Sequence, residues 1–175
     1  MSHTPLYSPE EIARAIDRMA QEILRDNSHD ISLVGLHSQG VPLAEKLADA
    51  IAAHTATRPQ VGKLDISMYR DDVGMRSGLP LIQETVIPFQ LEDRKIILVD
   101  DVLSSGRTIR AALDALTDYG RPAMIRLAVL VDRGNPEFPI HADYRGFAVQ
   151  AAPDEKIVVR LDGEEDIPSI VLQKK

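Results

Sequence analysis

The stretch Ile96-Ile97-Leu98-Val99-Asp100-Asp101-Val102-Leu103-Ser104-Ser105-Gly106-Arg107-Thr108 decides how the chain is read. It opens as an unbroken apolar run, Ile96 to Val99, of the kind a strand buried on both faces requires. The run ends in two carboxylates, Asp100 and Asp101, and then in a small-residue turn, Ser104-Ser105-Gly106. A helical pattern follows, with Ala112, Leu113 and Leu116 on one face. A strand that stops at such a turn and feeds a helix leaves unpaired backbone N–H groups pointing outward, where the helix dipole favours an anion. Gly106 lets a phosphate approach the backbone, and Ser104, Ser105 and Thr108 add hydroxyl donors. The carboxylates repel phosphate but accept well from sugar hydroxyls. A phosphate site at one end and a diol site at the other together describe a ribose 5-phosphate. A solvated strand end followed by a simple helix cap would leave both the paired acids and the hydroxyl cluster unexplained.

Outward from this stretch, the chain alternates between helix and strand patterns. Ser8-Pro9-Glu10-Glu11 is a capping box with proline at the first helical position. Ile12, Ile16, Met19, Ile23 and Leu24 mark the apolar face of a helix running to about Asp26. Ile31 to Leu36 reads as the first buried strand. The turn His37-Ser38-Gln39-Gly40 leads into a helix with Leu43, Leu47 and Ile51 in register. That second strand–turn–helix junction is either a plain connection or a second anion loop. Val61 to Tyr69 alternates partially, as a strand. Arg70 to Gly78 is polar and glycine-dotted, either a hairpin tip or a lid whose Arg70 and Arg76 bring positive charge over a bound anion. Leu127 to Val131, Ile157 to Leu161 and Ile167 to Leu172 are further strands. Strands alternating with helices imply a parallel α/β sheet, with its site at the strands' carboxyl ends.

Composition narrows the classes. A length of 175 residues suits one domain over 1–175 with a real core. The absence of cysteine excludes disulfides and thiolate metal sites and fits a cytoplasmic protein. No apolar run approaches a membrane span or a signal peptide. A net charge of −7 argues against broad attraction to nucleic acid, though not against a local basic patch. Aromatics at 4% make a base-stacking RNA platform a poor expectation.

The segment IILVDDVLSSGRT resembles the phosphoribosyl pyrophosphate (PRPP) signature of type I phosphoribosyltransferases. Together with LDISMYRDD, RLAVLVDRGNPEFPIHADYRG and IVVRLD, nearly the whole chain resembles the PyrR family. These are pyrimidine-operon attenuation regulators that also act as uracil phosphoribosyltransferases. The resemblance implies the type I phosphoribosyltransferase fold, a central mostly parallel sheet flanked by helices, with a small hood and a flexible lid loop. It implies that uracil and PRPP give UMP and pyrophosphate, with Mg2+ on the diphosphate and Asp100 and Asp101 near it. It also implies UMP-dependent binding to pyrimidine-operon leader RNA, and a homodimer or larger homo-oligomer.

Residue by residue, Asp100 and Asp101 match the family's ribose-hydroxyl acceptors, and Arg70 joins them as a catalytic candidate. Val102, Leu103, Ser104, Ser105, Gly106, Arg107 and Thr108 match the PRPP loop. His37, Ser38, Gln39 and Gly40 match the pyrophosphate loop. Val131, Asp132 and Arg133 are expected at the uracil edge. Tyr144 is a base-stacking candidate or, equally consistent with its pattern, a core aromatic.

Several positions depart from the family's pattern. Ser104 stands where the family usually has tyrosine and purine enzymes an acid, so no carboxylate base is present there. Gln39 replaces the usual arginine of the pyrophosphate loop, which leaves that loop without a fixed cation. On the expected RNA face, Asp17 and Gln21 replace common Thr and His, and His141 replaces a common arginine. Arg18, Arg145, Lys156 and Arg160 are the candidates for a basic patch. An RNA-binding attenuator with weak or vestigial transferase activity, or a transferase for another base, are the alternatives these departures keep open.

Overall fold

A computed structural model describes residues 3–28, 30–71, 81–163 and 167–174. Of the lid stretch expected at 70–78, Arg70 and Asp71 are described, and residues 72–78, Arg76 included, lie outside the described residues.

The capping box forms as read. Ser8 accepts from the Glu11 N–H at 3.2 Å, and the Glu11 carboxylate accepts from the Ser8 N–H at 2.8 Å. The helix it opens, α1, runs Pro9–Asp26 and buries Ile12, Ile16, Met19 and Ile23 on one face. A short strand, β1 (His3–Pro5), precedes it. Then follow β2 (Ile31–Leu36), α2 (Gly40–Thr55), β3 (Val61–Leu64), β4 (Lys95–Leu103) and α3 (Arg107–Thr117). The chain continues through β5 (Met124–Asp132), β6 (Tyr144–Ala148), β7 (Glu155–Arg160) and β8 (Ser169–Lys174).

Five strands form one parallel sheet in the order β3-β2-β4-β5-β6. Its strands alternate side chains between two cores, as the two-residue pleat requires. In β4, Ile97 and Val99 join the core under α1 and α2, whereas Ile96 and Leu98 join the core under α3. Both faces are covered, which is why the central strands read as continuous apolar runs. The remaining strands make a small antiparallel sheet, β1-β8-β7, the hood of this fold.

Two strand boundaries near the site differ from the sequence reading. β4 does not stop at Val99 but carries both acids and pairs as far as Leu103, because the equally long β5 extends the ladder to Asp132. β3 stops at Leu64 rather than Tyr69. There the Asp65 carboxylate accepts from the Ser67 N–H and hydroxyl at 3.0 and 2.6 Å, and Ser67–Tyr69 turns into one 3-10 turn. Local side-chain bonds of this kind compete with a ladder. Neither β1 nor β6 is visible as a strand in the apolar pattern, since each is short and lies at the edge of its sheet.

Candidate active site at the carboxyl ends of β2, β3 and β4

The connection from β2 runs through α2 to β3 on one side, and that from β4 runs through α3 to β5 on the other. The sheet order therefore reverses between β2 and β4, and a crevice opens beyond their carboxyl ends. A cleft of about 420 Å³ occupies this position. His37 and Ser38 line it from the β2–α2 turn, Asp65 and Ser67 from beyond β3, and Asp100, Asp101 and Val102 from β4. Arg70 and Thr108 complete the core side, and Lys156 of β7 enters from the hood.

Asp100 is nearly inaccessible, 6% exposed, and accepts from the Asp101 N–H at 2.9 Å. Burial and then the neighbouring Asp101 charge push its pKa well above the ordinary carboxylate value, while Arg70 pulls the other way. Arg70 donates to the Thr108 hydroxyl at 3.1 Å, which ties the entry of the 70–78 stretch to the first turn of α3. Asp65 behaves differently. Burial works against its charge, yet hydrogen bonds from Ser67 and from the Gln83 N–H outweigh it, and its pKa falls below the ordinary value.

The turn at 104–106 is rigidly braced. Gly106 caps α3 at φ 93°, the left-handed region that favours glycine. The Ser105 carbonyl accepts from the N–H groups of Glu137 and Phe138 at 2.8 and 3.2 Å, and its hydroxyl accepts from the Arg107 N–H at 3.3 Å. The Arg107 side chain faces away from this turn. It pairs with Asp71 at 2.9 Å and Glu137 at 3.3 Å, and it lies over the Phe138 ring. Only its backbone belongs to the loop. Leu103 is likewise buried, and its carbonyl accepts from the Arg133 N–H at 3.0 Å.

In the other turn, the His37–Ser38 peptide is cis. Gly40 starts α2 so close to β4 that a Cβ there would lie 2.5 Å from the Val99 carbonyl oxygen. Gln39 is turned to the hood: its amide oxygen accepts from the Leu161 N–H at 2.8 Å, and its amide nitrogen donates to Asp162 at 2.8 Å.

Two expectations about the base are corrected. Tyr144 is 2% exposed and begins β6 opposite Ala128, four residues before the sheet's carboxyl edge at Ala148. At about 3.3 Å per residue it lies roughly 13 Å from that edge, and its hydroxyl accepts from buried Asn27 at 2.8 Å. It is a core aromatic and stacks on no base. Val131 is wholly buried in the core, so its side chain offers nothing to a ligand. Asp132 and Arg133 do stand at the carboxyl edge. Asp132 accepts from the Gly134 N–H at 2.8 Å, and Arg133 donates to the carbonyls of Ala151 and Ala152 at 3.3 and 3.2 Å.

The basic-patch candidates separate. Arg18 donates to the carbonyls of Arg145 and Gly146, and Arg145 faces Asp132 at 3.5 Å, whereas Lys156 lies in the cleft. Arg160 lines a separate hollow on the hood with Ser169 and Gln173. Asp65, Ile66, Ser67 and Lys156 are the lining residues that sequence reasoning did not place here. Asp65 and Ser67 belong to the LDIS stretch that reads as strand, so only the break after Leu64 marks them.

The phosphoribosyl transferase domain model matches residues 3–165. Among curated relatives, the "Bifunctional protein PyrR" of Roseiflexus sp. (strain RS-1) is 50% identical over 163 residues, 92% of this chain and 89% of that one. The protein of the same name from Chloroflexus aurantiacus is 47% identical, over 95% of this chain and 93% of its own. Among solved structures, a Bacillus anthracis hypoxanthine-guanine phosphoribosyltransferase matches with TM-score 0.72 at 20% identity, over 96% of each chain. A Staphylococcus aureus hypoxanthine phosphoribosyltransferase matches with TM-score 0.74 at 18% identity, over 98% of this chain and 91% of that one. The purine enzymes share the fold; the identity lies elsewhere, and the chain belongs to the phosphoribosyltransferase family and, within it, to the PyrR proteins.

Proposed function

We propose that the chain transfers ribose 5-phosphate from PRPP to uracil, yielding UMP and pyrophosphate. The observation that carries this is the switch-point cleft, where paired carboxylates on β4 stand beside a braced strand–turn–helix junction. Asp100 and Asp101 accept from the ribose hydroxyls and hold the sugar ring. The N-terminal amides of α3, with Ser104, Ser105 and Thr108, take the 5-phosphate. The His37–Gly40 turn takes the diphosphate. The bond from the sugar's anomeric carbon to pyrophosphate breaks, a uracil ring nitrogen bonds to that carbon, and the nitrogen's proton is released.

The transition state carries positive charge on the sugar, so the residues act by positioning, by facing that charge with carboxylates, and by keeping water away. The carboxylates of Asp100 and Asp101 are hard oxygen donors of the kind that Mg2+ takes. Asp100 and Asp101 would hold it. Bound there with PRPP, it would supply positive charge to offset that of the diphosphate. At the edge of β5, Asp132 and Arg133 remain the candidates for polar contact with the base.

The regulatory half of the reading is UMP-dependent binding of pyrimidine-operon leader RNA. Arg18 and Arg145 support it, lying together at the end of β6. Asp17 opposes it: a hydrogen bond from His54 at 2.7 Å keeps its pKa below the usual carboxylate value, so it faces an RNA backbone as an anion. In this reading the protein works in the cytoplasm as a homo-oligomer.

The test is a PRPP-dependent assay with uracil, cytosine, hypoxanthine and guanine side by side. Uracil alone should give nucleotide at a useful rate. Preferential turnover of a purine would replace the base assignment, and no turnover with any base alongside tight UMP-stimulated RNA binding would favour the attenuator.

A further inference from the structure

The cleft presents a charge problem. A diphosphate brings several negative charges, and the walls already carry Asp65, Asp100 and Asp101. The β2–α2 turn offers no help through residue 39, which is neutral and has both ends of its amide engaged by Leu161 and Asp162. Arg70 sits at the phosphate-loop side, bonded to Thr108. Lys156 lines the same cleft from the hood, as His37 and Ser38 do from the β2–α2 turn. No described residue pairs with its ammonium. An exposed lysine lining an acid-walled cleft, with no described residue on its ammonium, is open to an anion bound there.

Lys156 and the Gln39 contacts lie on one piece of chain. β7 runs from Glu155 to Arg160, and Leu161 and Asp162 follow it directly. The amide of Gln39 therefore fastens the far end of the Lys156 strand to the turn that begins α2. We propose that Lys156 is the cation that binds the diphosphate of PRPP, and that Gln39 is a positioning residue that seats the hood, and Lys156 with it, over the His37–Gly40 turn. The proposal rests on the cleft taking PRPP but not on the identity of the base.

The test uses the full chain and calorimetric titration with Mg2+–pyrophosphate and, separately, with UMP, which carries a 5-phosphate but no diphosphate. Lys156→Met should weaken pyrophosphate about tenfold, the loss of one charge-assisted contact at a partly solvated site, and leave UMP within about twofold. Lys156→Arg should retain most of the affinity. Gln39→Ala should also weaken pyrophosphate, and should add nothing further in the Lys156→Met background, because it acts through the lysine. Unchanged pyrophosphate affinity in Lys156→Met, or an equal loss for UMP, overturns the assignment of Lys156. Full additivity of the two substitutions overturns the positioning role of Gln39. Loss of uracil turnover in the wild type with these binding results intact would instead strike the base assignment alone.

Discussion

The two strand–turn–helix junctions flanking the switch point share one plan and solve it with different chemistry. After β4, the turn is made by a glycine in the left-handed region, is braced from behind by the backbone of Glu137 and Phe138, and carries hydroxyls. After β2, the glycine is needed for closeness rather than for conformation, because α2 starts against the Val99 carbonyl. Here the side chain at the helix cap turns away to the hood. Under the proposed function, the first junction is the cup for the 5-phosphate, and the second is a backbone cradle for the diphosphate whose charge comes from elsewhere in the fold.

The largest effect follows from the closeness at the second junction. Gly40→Ala places a methyl group 2.5 Å from the Val99 carbonyl oxygen and 3.2 Å from the Asp100 Cα, both backbone atoms of β4, with the Leu36 Cβ at 3.4 Å, so no flexible side-chain end is there to yield. Overpacking of this kind costs about 1–3 kcal/mol, and α2 must move off β4 beside Asp100. Thermal unfolding should show a clear drop in midpoint, and PRPP affinity should fall with it. Normal values for both would show that the junctions are not held by this contact.

Next come the carboxylates between the junctions. Asp100→Asn and Asp101→Asn keep shape but lose charge-assisted bonds to the sugar, worth roughly 1.5–3 kcal/mol each, or about ten- to a hundredfold in kcat/KM. Steady-state kinetics check this, and near-normal turnover in both variants would move the sugar elsewhere.

Gly106→Ala should do less, about 1–2 kcal/mol of backbone strain, because its Cβ would meet only ordinary contacts at 3.5 Å with Phe138 and Ile140. Comparing the denaturant midpoints of the two glycine variants separates a steric glycine from a conformational one. Equal losses would dissolve the distinction drawn between the junctions.

The smallest effect is one of sign. The native Asp100 pKa is raised, so between its unfolded and folded values the native state binds the more protons, and stability falls as pH rises through that window. Asp100→Asn should therefore be more stable than wild type at alkaline pH. Its advantage should shrink as pH falls through that window and be gone below the ordinary carboxylate value, where both states are protonated. Melting curves across pH would show it, and a variant less stable at high pH would mean that Asp100 is paired more strongly than its burial costs.

The fold and the strand–turn–helix junction after β4 are legible because each rests on a local rule. The capping box, the apolar runs of strands covered on both faces, and the small-residue turn before α3 all state their structure in adjacent residues. Tyr144 was legible only as an aromatic near a strand: whether it meets a base or Asn27 depends on which end of β6 it occupies, and that is set by pairing with β5. Gln39 reads from sequence as a missing cation, but the structure gives its amide a task across more than 120 residues of chain. Lys156 reads as a surface charge for the same reason. Hood-to-core contacts depend on tertiary docking, and no period or motif encodes them.

In the proposed function both junctions grip one PRPP molecule, the first by its 5-phosphate and the second by its diphosphate. Amide hydrogen exchange measured with Mg2+–PRPP and with ribose 5-phosphate tests it directly. PRPP should slow exchange at 37–40 and at 104–108 together, whereas ribose 5-phosphate should slow 104–108 alone. Protection of only one junction by PRPP, or the same footprint from both ligands, would contradict it.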